Sequence, residues 1–428
     1  MSELNLNPEV LVIGAGPGGA AAAWKLASNG HDILMVDKAD FPRDKTCGDG
    51  LTPMAVQTLN QMSVLDQVLA ADPAKVNRVR IRGPFGTQID VPFTEFMDSS
   101  MDYALVLPRI TFDDILRRHA LMSGADYSGN IRVEKIVRDG DRVTNVYAIG
   151  QNGPLQIRPR HVVIAVGANM GVLERDGFMK YKPHVMRAVR AYYSNVSTDP
   201  NCYEFFFDIE LIPGYGWIFP GGDGVSNIGA GTAQVFWTPR HTAQALMQGF
   251  VQHRAKEGIM REAVQQGPIK GFPLRIDFPA ERVAGENWII IGEAAGLVNP
   301  ITGEGIDLAM ESGLLGARII HDDITLGRRN HVTYQRELWH RFAAMFNGLR
   351  ILRDILITPV LMDYVLWQIR HYRFLARTSL SITQGFTYPQ MVFHPLFIIQ
   401  FFLPVSPRLF LEIGEEVFTP QKRRVSRQ

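Results

Sequence analysis

The sequence predicts an α/β fold in which a Rossmann-like domain carries an inserted antiparallel β-sheet and is followed by a C-terminal helical region. Three observations predict it. Residues 10–37 run from an apolar strand through a glycine-rich turn and an alanine-rich helix to a second strand. From about residue 185 to 279 the chain changes to short strands with turn signals. Residues 287–313 then return to a buried strand, a glycine turn and a helix, so the first domain is interrupted along the chain.

The first glycine-rich turn has the spacing of a dinucleotide-binding fingerprint. Gly14, Gly16 and Gly19 follow the first strand at GxGxxG spacing, and Asp37 ends the second strand. Gly14 allows the tight turn, Gly16 allows the backbone to approach a pyrophosphate, and Gly19 allows close packing of the helix. The helix N-terminus offers unpaired N–H groups to phosphates, and Asp37 can accept hydrogen bonds from a ribose. This order of elements predicts an ADP-ribose binder and leaves FAD and NAD both open; the alternative is a glycine-rich turn of another α/β protein.

Composition narrows the class of protein. The 428 residues include 44 basic and 43 acidic side chains, so a broad nucleic-acid surface is not expected. Two cysteines, Cys47 and Cys202, are too few for a disulfide framework and indicate a reducing compartment. The N-terminus has no signal-peptide pattern, and no apolar run reaches the roughly 18–20 residues of a membrane-spanning helix. The sequence therefore predicts a cytoplasmic protein, and no metal site is predicted.

A second loop beside the first domain carries several groups with possible chemistry. Residues 40–51 read DFPRDKTCGDGL and lead into a helix near Thr52. The proline and glycines indicate a loop, and it carries Arg43, Lys45, Cys47 and Asp49 at short spacing. A solvated connection is the open alternative to a functional loop.

The next segments predict further strands and one helix. Residues 75–94 alternate apolar and polar side chains, which indicates strands of an antiparallel sheet. Residues 105–116 predict a strand leading into a helix, with Arg109 before that helix as a surface charge or as a phosphate or flavin contact. Residues 131–149 and 155–166 predict a β-meander.

The β-rich insertion is rich in aromatic residues. Residues 213–220 and 226–231 are separated by the turn sequence GGDG, which predicts a hairpin. The aromatic side chains either form plain sheet core or line a pocket for an apolar substrate. These side chains are Tyr203, Phe205, Phe207, Tyr215, Trp217 and Phe219.

The last part of the chain predicts a return to the first domain and then helices. Residues 287–296 are a buried strand ending in GEAAG, and residues 299–313 are a glycine turn opening a helix. Residues 328–378 have helical periodicity. Residues 391–405 are very apolar but are broken by prolines, which favours peripheral membrane contact over a plain core helix.

These motifs, taken in order, resemble the geranylgeranyl reductase family of FAD proteins, within the p-hydroxybenzoate-hydroxylase-like flavoprotein group. The resemblance covers roughly residues 8–325 and looks closest to the branch that saturates the isoprenyl chain of menaquinone. Its most specific motifs are KTCGDGL at residues 45–51 and YGWIFP at residues 215–220. It implies a GR2-type FAD-binding Rossmann-like domain with an inserted substrate domain. The implied division assigns residues 1–82, 104–170 and 280–327 to the FAD-binding domain and residues 83–103 and 171–279 to the substrate domain. In the same division, residues 328–428 form a C-terminal helical region that is a candidate for membrane association.

The resemblance also implies a set of site residues. Glu293 stands where the family more usually has Asp. The implied FAD contacts are Gly14, Ala15, Gly16, Pro17, Gly18, Gly19, Asp37, Lys38, Cys47, Gly48, Arg109, Gly292, Glu293, Pro300, Gly303, Glu304, Gly305 and Ile306. The implied substrate contacts are Tyr215, Trp217 and Phe219.

The implied activity is saturation of carbon–carbon double bonds in a geranylgeranyl or menaquinone prenyl chain, by a hydride from flavin N5 and a proton. Cys47 is the first candidate proton donor and Tyr215 the second. No second dinucleotide fingerprint is visible, so NAD(P)H and a ferredoxin both remain open as electron donors. A flavin monooxygenase or halogenase on the same scaffold is the enzyme alternative. A prenyl-lipid carrier resembling the GDP-dissociation inhibitors is the non-enzyme alternative.

Overall fold

A computed structural model describes residues 4–95, 102–233, 242–328, 331–355 and 358–372, with Leu375 and Arg377. Strands and helices are named in chain order. The strands are β1 Leu4–Leu6, β2 Val10–Ile13, β3 Ile33–Val36, β4 Gly50–Leu51, β5 Ala74–Val76, β6 Arg78–Arg82, β7 Gln88–Pro92, β8 Ala104–Val106, β9 Asp126–Ser128, β10 Arg132–Asp139, β11 Arg142–Gly150, β12 Gly153–Ile157, β13 His161–Ile164, β14 Val185–Ser194, β15 Cys202–Phe206, β16 Tyr215–Phe219, β17 Val225–Ala233, β18 Val264–Arg275 and β19 Trp288–Ile290. The α-helices are α1 Pro17–Ser28, α2 Pro53–Gln61, α3 Leu65–Leu69, α4 Arg109–Met122, α5 Gly171–Arg175, α6 Ala243–Lys256, α7 Ile306–Thr325, α8 Val332–Ile355 and α9 Pro359–His371.

A five-stranded parallel sheet forms the centre of the molecule. Its strand order is β19-β13-β2-β3-β9, and every neighbouring pair is parallel. All four residues of β2 are buried, as expected for a strand covered on both faces. Helix α1 connects β2 to β3 and packs along α7, whose sequence comes almost 300 positions later. The predicted return of the chain to its first domain is therefore confirmed.

The predicted β-meander is present as β10, β11 and β12, which form antiparallel pairs, with β1 added in parallel at one edge. A small sheet of order β4-β8-β5 joins the end of the second loop to the strand before α4. Helix α2 begins directly after Thr52, whose hydroxyl oxygen accepts a hydrogen bond from the Ala55 N–H at 3.1 Å. The helix predicted near Thr52 is thus capped by that residue.

A seven-stranded sheet of order β18-β14-β17-β16-β15-β6-β7 forms the second large layer. Its pairs are antiparallel except β15 with β6. The predicted hairpin is present as β16 and β17, and Gly224 in its turn has a φ of 77°. The predicted domain boundary between residues 82 and 83 falls between β6 and β7, two neighbouring strands of this sheet. The division into domains stays a prediction.

The C-terminal helices α8 and α9 follow α7 and confirm the predicted helical region. Tyr334, Leu338 and Phe342 of α8 are buried in the main core, whereas Met362 and Leu366 of α9 pack against β7 and the second large sheet. Across the part of the chain described by the structure, no helix has both the length and the apolarity needed to cross a membrane. The apolar segment 391–405, with its predicted peripheral membrane contact, lies outside the described residues.

Candidate functional site

One large cavity, of about 570 Å³, lies between the two large sheets. On one side, its lining comes from the turns that follow β2, β3, β13 and β19. These turns lie at the carboxyl ends of parallel strands, which is where α/β sheets bind ligands. On the other side, its lining comes from β14, β15, β16 and β18. The cavity therefore has a nucleotide side, formed by the four turns, and a sheet side, formed by those strands.

The first glycine turn has the geometry that its sequence predicts. Gly14 has a φ of 108°, and a Cβ there would overlap the carbonyl oxygen of Ala165 at the end of β13. A Cβ at Gly19 would overlap the carbonyl oxygen of Gly14. At Gly16, in contrast, the nearest atom to a Cβ would be a guanidinium nitrogen of Arg43 at 3.6 Å. Gly14 and Gly19 thus allow close packing of backbone segments within the protein, whereas Gly16 leaves open space at the N-terminus of α1.

Asp37 lies at the end of β3 and lines the cavity. Its carboxylate accepts hydrogen bonds from the Ala15 N–H at 2.8 Å and from the Ala39 N–H at 2.9 Å. Each carboxylate has about four acceptor positions, so capacity remains for a ribose hydroxyl. Ala15 itself does not line the cavity and contributes through this hydrogen bond.

Glu293 follows β19 and is buried at the cavity surface. Its Oε2 lies 3.3 Å from the Nζ of Lys45, and its Oε1 accepts a hydrogen bond from the Arg275 N–H at 3.4 Å. The Glu293 carboxylate therefore connects the loop of residues 40–51 to the end of β18.

The Gly303 loop, residues 299–305, leads into α7. The Gly303 N–H donates to the Asn299 carbonyl at 2.9 Å, and Gly303 has a φ of 69°. The Tyr215 hydroxyl of β16 donates a hydrogen bond to the Thr302 carbonyl oxygen. The Thr302 hydroxyl oxygen is buried and has no hydrogen-bond partner within the described ranges, yet Thr302 lines the cavity. Pro300 does not line it.

Arg109 is the first residue of α4 and is only 3% exposed. Its guanidinium donates two hydrogen bonds to the Asp113 carboxylate, at 2.6 and 2.7 Å, and Asp113 is also paired with Arg43 at 2.6 Å. Burial by itself lowers the pKa of Arg109. The nearby Asp113 and the hydrogen-bonded Cys47 side chain have a larger, opposite effect, and together they hold the pKa of Arg109 above its usual range. Arg109 is therefore a permanently charged residue beside both Cys47 and the cavity.

The Cys47 loop, residues 40–51, passes along the cavity, with Cys47 half-buried and Asp49 fully buried. A Cβ at Gly48 would lie 3.0 Å from the Phe219 ring, and one at Gly50 would lie 3.1 Å from the Tyr203 hydroxyl oxygen. The two glycines thus let the backbone of the loop contact aromatic rings of the sheet side.

Alternate residues of β15 and β16 form an aromatic wall on the sheet side. Tyr203 and Phe219 have ring centroids 4.4 Å apart, and Phe205 and Tyr215 have centroids 5.3 Å apart. Phe207 packs on Tyr215 but does not line the cavity. The members of the aromatic wall are Tyr203, Phe205, Tyr215, Trp217 and Phe219.

All of the predicted cofactor and substrate residues line this cavity except Ala15 and Pro300. Their individual roles stay predictions. The sequence analysis missed Arg190 of β14, Thr302 and Asp307 as cavity residues, and it named Asp49 in the second loop without assigning it to the site. An acid between two glycines, as in Gly48-Asp49-Gly50, was the one available signal for Asp49.

Comparison with known proteins identifies the family. Residues 7–337 match the family described as FAD binding domain. The chain is 33% identical over 319 residues to the menaquinone reductase of Mycobacterium tuberculosis, covering 73% of this chain and 76% of that protein. It is 28% identical over 321 residues to digeranylgeranylglycerophospholipid reductase 2 of Methanopyrus kandleri, covering 74% and 77%.

Solved structures show the same fold. A geranylgeranyl bacteriochlorophyll reductase-like protein from Thermoplasma acidophilum has a TM-score of 0.79 at 22% identity, covering 91% of this chain and 98% of that one. The flavin-dependent brominase Bmp2 has a TM-score of 0.74 at 19% identity, covering 96% and 98%. The fold alone is thus common to reductases and halogenases.

The residues around the cavity fit FAD. Gly16 leaves room at the head of α1 for a pyrophosphate, and beside Gly303 the nearest atom to a Cβ would be the Tyr215 hydroxyl oxygen at 3.5 Å. The unpartnered Thr302 hydroxyl offers a polar contact to a bound group. With the family match over residues 7–337, these features show that the chain belongs to the FAD-binding-domain flavoproteins and is an FAD-dependent oxidoreductase related to the prenyl-chain reductases.

Proposed function

We propose that this enzyme saturates carbon–carbon double bonds in the isoprenoid chain of a quinone or a lipid. The observation that carries the proposal is that one cavity combines an aromatic wall with turns that fit FAD. Apolar and aromatic linings suit a hydrocarbon chain. The relatives named menaquinone reductase and digeranylgeranylglycerophospholipid reductase support the same class of substrate.

An isolated double bond sets strict demands on the site. No carbonyl polarises it, so a hydride added to one carbon must be matched by a proton delivered to the other. Reduced FAD, when bound, supplies the hydride from N5. The protein must then hold the chain, exclude water and supply the proton.

Cys47 suits the role of proton donor better than Tyr215. The Tyr215 hydroxyl already donates to the Thr302 carbonyl, and burial, followed by the nearby Glu304 and Cys47, raises the pKa of Tyr215 above its usual range. Tyr215 is therefore a poor acid that anchors the Gly303 loop. Cys47 lines the cavity with a free thiol beside the charged Arg109.

Cys47 supplies the proton that the proposed step consumes. The Cys47 thiol would give its proton to one carbon of the double bond, while the hydride that bound reduced FAD would supply adds to the other carbon. The Arg109 guanidinium, fixed by Asp113, stabilises the negative charge left on sulfur. Cys47 then regains a proton from water.

The test is a single-turnover reaction without oxygen. Holoenzyme reduced with dithionite is mixed with menaquinone or with a geranylgeranyl phospholipid, and flavin absorbance and lipid mass are followed. Dithionite replaces the physiological electron donor, so the outcome does not depend on whether that donor is NAD(P)H or a ferredoxin. We expect flavin reoxidation, with two hydrogens added per flavin to the prenyl chain and not to the quinone ring, which the masses of lipid fragments distinguish.

Controls separate the proposal from its alternatives. In heavy water, two solvent deuteriums are expected in each reduced bond, because the hydrogen on N5 of the dithionite-reduced flavin and the donor proton both come from solvent. Cys47→Ala is expected to reoxidise the flavin roughly a hundredfold more slowly with the same lipid, the usual scale of general-acid catalysis. Turnover that requires oxygen would instead identify a monooxygenase or halogenase.

A further inference from the structure

Asp49 is a buried carboxylate at the centre of a hydrogen-bond network behind the cavity. The side chain is fully buried, and the backbone has a φ of 62°, a left-handed conformation that Asp tolerates better than most residues. Its carboxylate does not line the cavity, although Gly48 and Gly50 on either side do. Asp49 can therefore act on the site only through its neighbours.

Three donors from three elements converge on this carboxylate. Its Oδ2 accepts hydrogen bonds from the Tyr192 hydroxyl at 2.6 Å and from the Asn227 Nδ2 at 2.8 Å. Its Oδ1 accepts a hydrogen bond from the backbone N–H of Arg109 at 3.3 Å. Tyr192 and Asn227 are directly paired across β14 and β17, so their positions follow from the register of the sheet. Hydrogen bonds to a buried charge are among the stronger ones in proteins.

Asn227 connects Asp49 to two groups that line the cavity. Besides donating to Asp49, its Nδ2 donates to the Cys47 carbonyl oxygen at 2.8 Å, and its Oδ1 accepts from the Trp217 indole N–H at 3.0 Å. Turning the amide over would break all of these bonds, because the oxygen would then face two acceptors and the nitrogen a donor. The carboxylate of Asp49 therefore fixes the orientation of Asn227.

The two groups held by Asn227 both face the cavity. Cys47 is held through its backbone, and Trp217 is held through its indole ring, which lies over Gly229 where a Cβ would overlap the ring. A Cβ at Gly48 would lie 3.4 Å from the Trp217 indole nitrogen, so the loop and the ring are close together. Any shift of Asn227 would move both.

We propose that Asp49 is a positioning residue that, through Asn227, fixes Cys47 and Trp217 in the arrangement needed for the reduction. This inference rests on the proposed function. Asp49 does not line the cavity, and the Asn227 branch of its network leads to the Cys47 loop and to Trp217, so the loss of that branch falls on the turnover step and on the Cys47 loop.

The test compares neighbouring tyrosines on one strand. Tyr192→Phe removes a donor from Asp49, whereas the matched control Tyr193→Phe removes a hydroxyl that donates to Gln265 at 3.2 Å, away from the network. For each holoenzyme, FAD content, kcat, KM and the rate of Cys47 alkylation by iodoacetamide are measured. The fully buried Cys202 serves as the internal reference for alkylation.

For Tyr192→Phe we expect kcat to fall roughly tenfold and Cys47 to be alkylated roughly tenfold faster, with KM within about threefold and FAD content unchanged. Asp49→Asn is expected to act in the same direction, and Tyr193→Phe to match the wild type. Unchanged kcat and alkylation in Tyr192→Phe, or equal effects in Tyr193→Phe, would overturn the proposal. Alkylation needs no substrate, so a wild type that reduces no lipid refutes the proposed function while the positioning role is still tested.

Discussion

The two sides of the cavity use different parts of the polypeptide. The nucleotide side is built largely from backbone: Gly14 packs against the Ala165 carbonyl, Gly16 leaves open space at the N-terminus of α1, and Asp37 is held by two backbone amides. The sheet side is built from side chains, chiefly the rings of the aromatic wall. A backbone site tolerates few residue types and so leaves a recognisable motif, whereas a side-chain wall is free to change with the substrate. The difference predicts that substitutions on the two sides separate cofactor binding from substrate binding.

The largest effect is expected at Gly16 on the nucleotide side. Gly16→Val should weaken FAD binding more than roughly a hundredfold, because it blocks the approach of the pyrophosphate and charge-assisted hydrogen bonds are worth about 1.5–3 kcal/mol each. The melting temperature of the apoprotein should change little, since the nearest atom to the new Cβ lies 3.6 Å away. Flavin fluorescence titration and thermal unfolding measure the two quantities. Gly249→Ala, where a Cβ meets nothing within 4 Å, is the control, and tight FAD binding by Gly16→Val would contradict the backbone role.

The next largest effect is expected at Asp49, which is buried behind the cavity. Burial raises the pKa of this carboxyl from 3.8 to about 6, against the hydrogen bonds from Tyr192 and Asn227. The folded protein therefore keeps this proton between pH 3.8 and about 6, where the unfolded chain has released it. The stability that the group contributes is fully present below pH 3.8 and is lost as the pH rises through about 6.

Urea unfolding of the wild type and of Asp49→Asn at several pH values measures this pH dependence of the free energy of unfolding. Between pH 4 and 7 the free energy of unfolding of the wild type should fall relative to the variant by up to about 3 kcal/mol, at about 1.4 kcal/mol per unit of pKa difference. Asp66→Asn, on an exposed position of α3, is the matched control. A pH-independent difference between wild type and Asp49→Asn would contradict the raised pKa.

A smaller effect is expected on the aromatic wall. Phe219→Leu should raise KM for the lipid roughly tenfold, because it removes ring contacts with the substrate, and should leave the FAD dissociation constant unchanged. Phe207→Leu, directly after the neighbouring strand β15 and outside the cavity lining, is the matched control. Steady-state kinetics and flavin titration measure both. A parallel loss of FAD affinity in Phe219→Leu would break the separation of the two sides.

The smallest effect is expected at Lys45. Its ammonium lies 3.3 Å from Glu293 but is a third exposed, so solvent screens the pair. Lys45→Met should weaken FAD binding less than roughly fivefold, and the loss should shrink as salt is added. Titrations at low and high ionic strength measure this, and a larger, salt-independent loss would show that Lys45 makes a buried contact with the cofactor.

The sequence predicted the nucleotide side well because its motifs are local. Residues 10–37 form one continuous strand–helix–strand unit, and the overlap that requires Gly19 involves the Gly14 carbonyl of the same unit. Arg109 was expected as a surface charge or a cofactor contact, and the structure pairs it with Asp113 four residues later in the same helix. That spacing was visible, but the burial that makes the pair matter depends on the rest of the fold.

The Asp49 network could not be predicted because its members meet only through strand register. Tyr192 and Asn227 are neighbours in the sheet while lying far apart in sequence, and a shift of one residue would turn either side chain to the opposite face. The role of Thr302 was likewise hidden, because its partner Tyr215 comes from the other side of the cavity.

The hydrogen bond from Tyr215 to Thr302 joins a ring of the aromatic wall to the Gly303 loop, and both line the same cavity. A lipid that moves the Tyr215 ring therefore changes the free energy of the Gly303 loop. By linkage, the factor by which lipid changes flavin affinity must equal the factor by which flavin changes lipid affinity. The Tyr215 hydroxyl thus provides a direct contact through which the two binding events can be coupled.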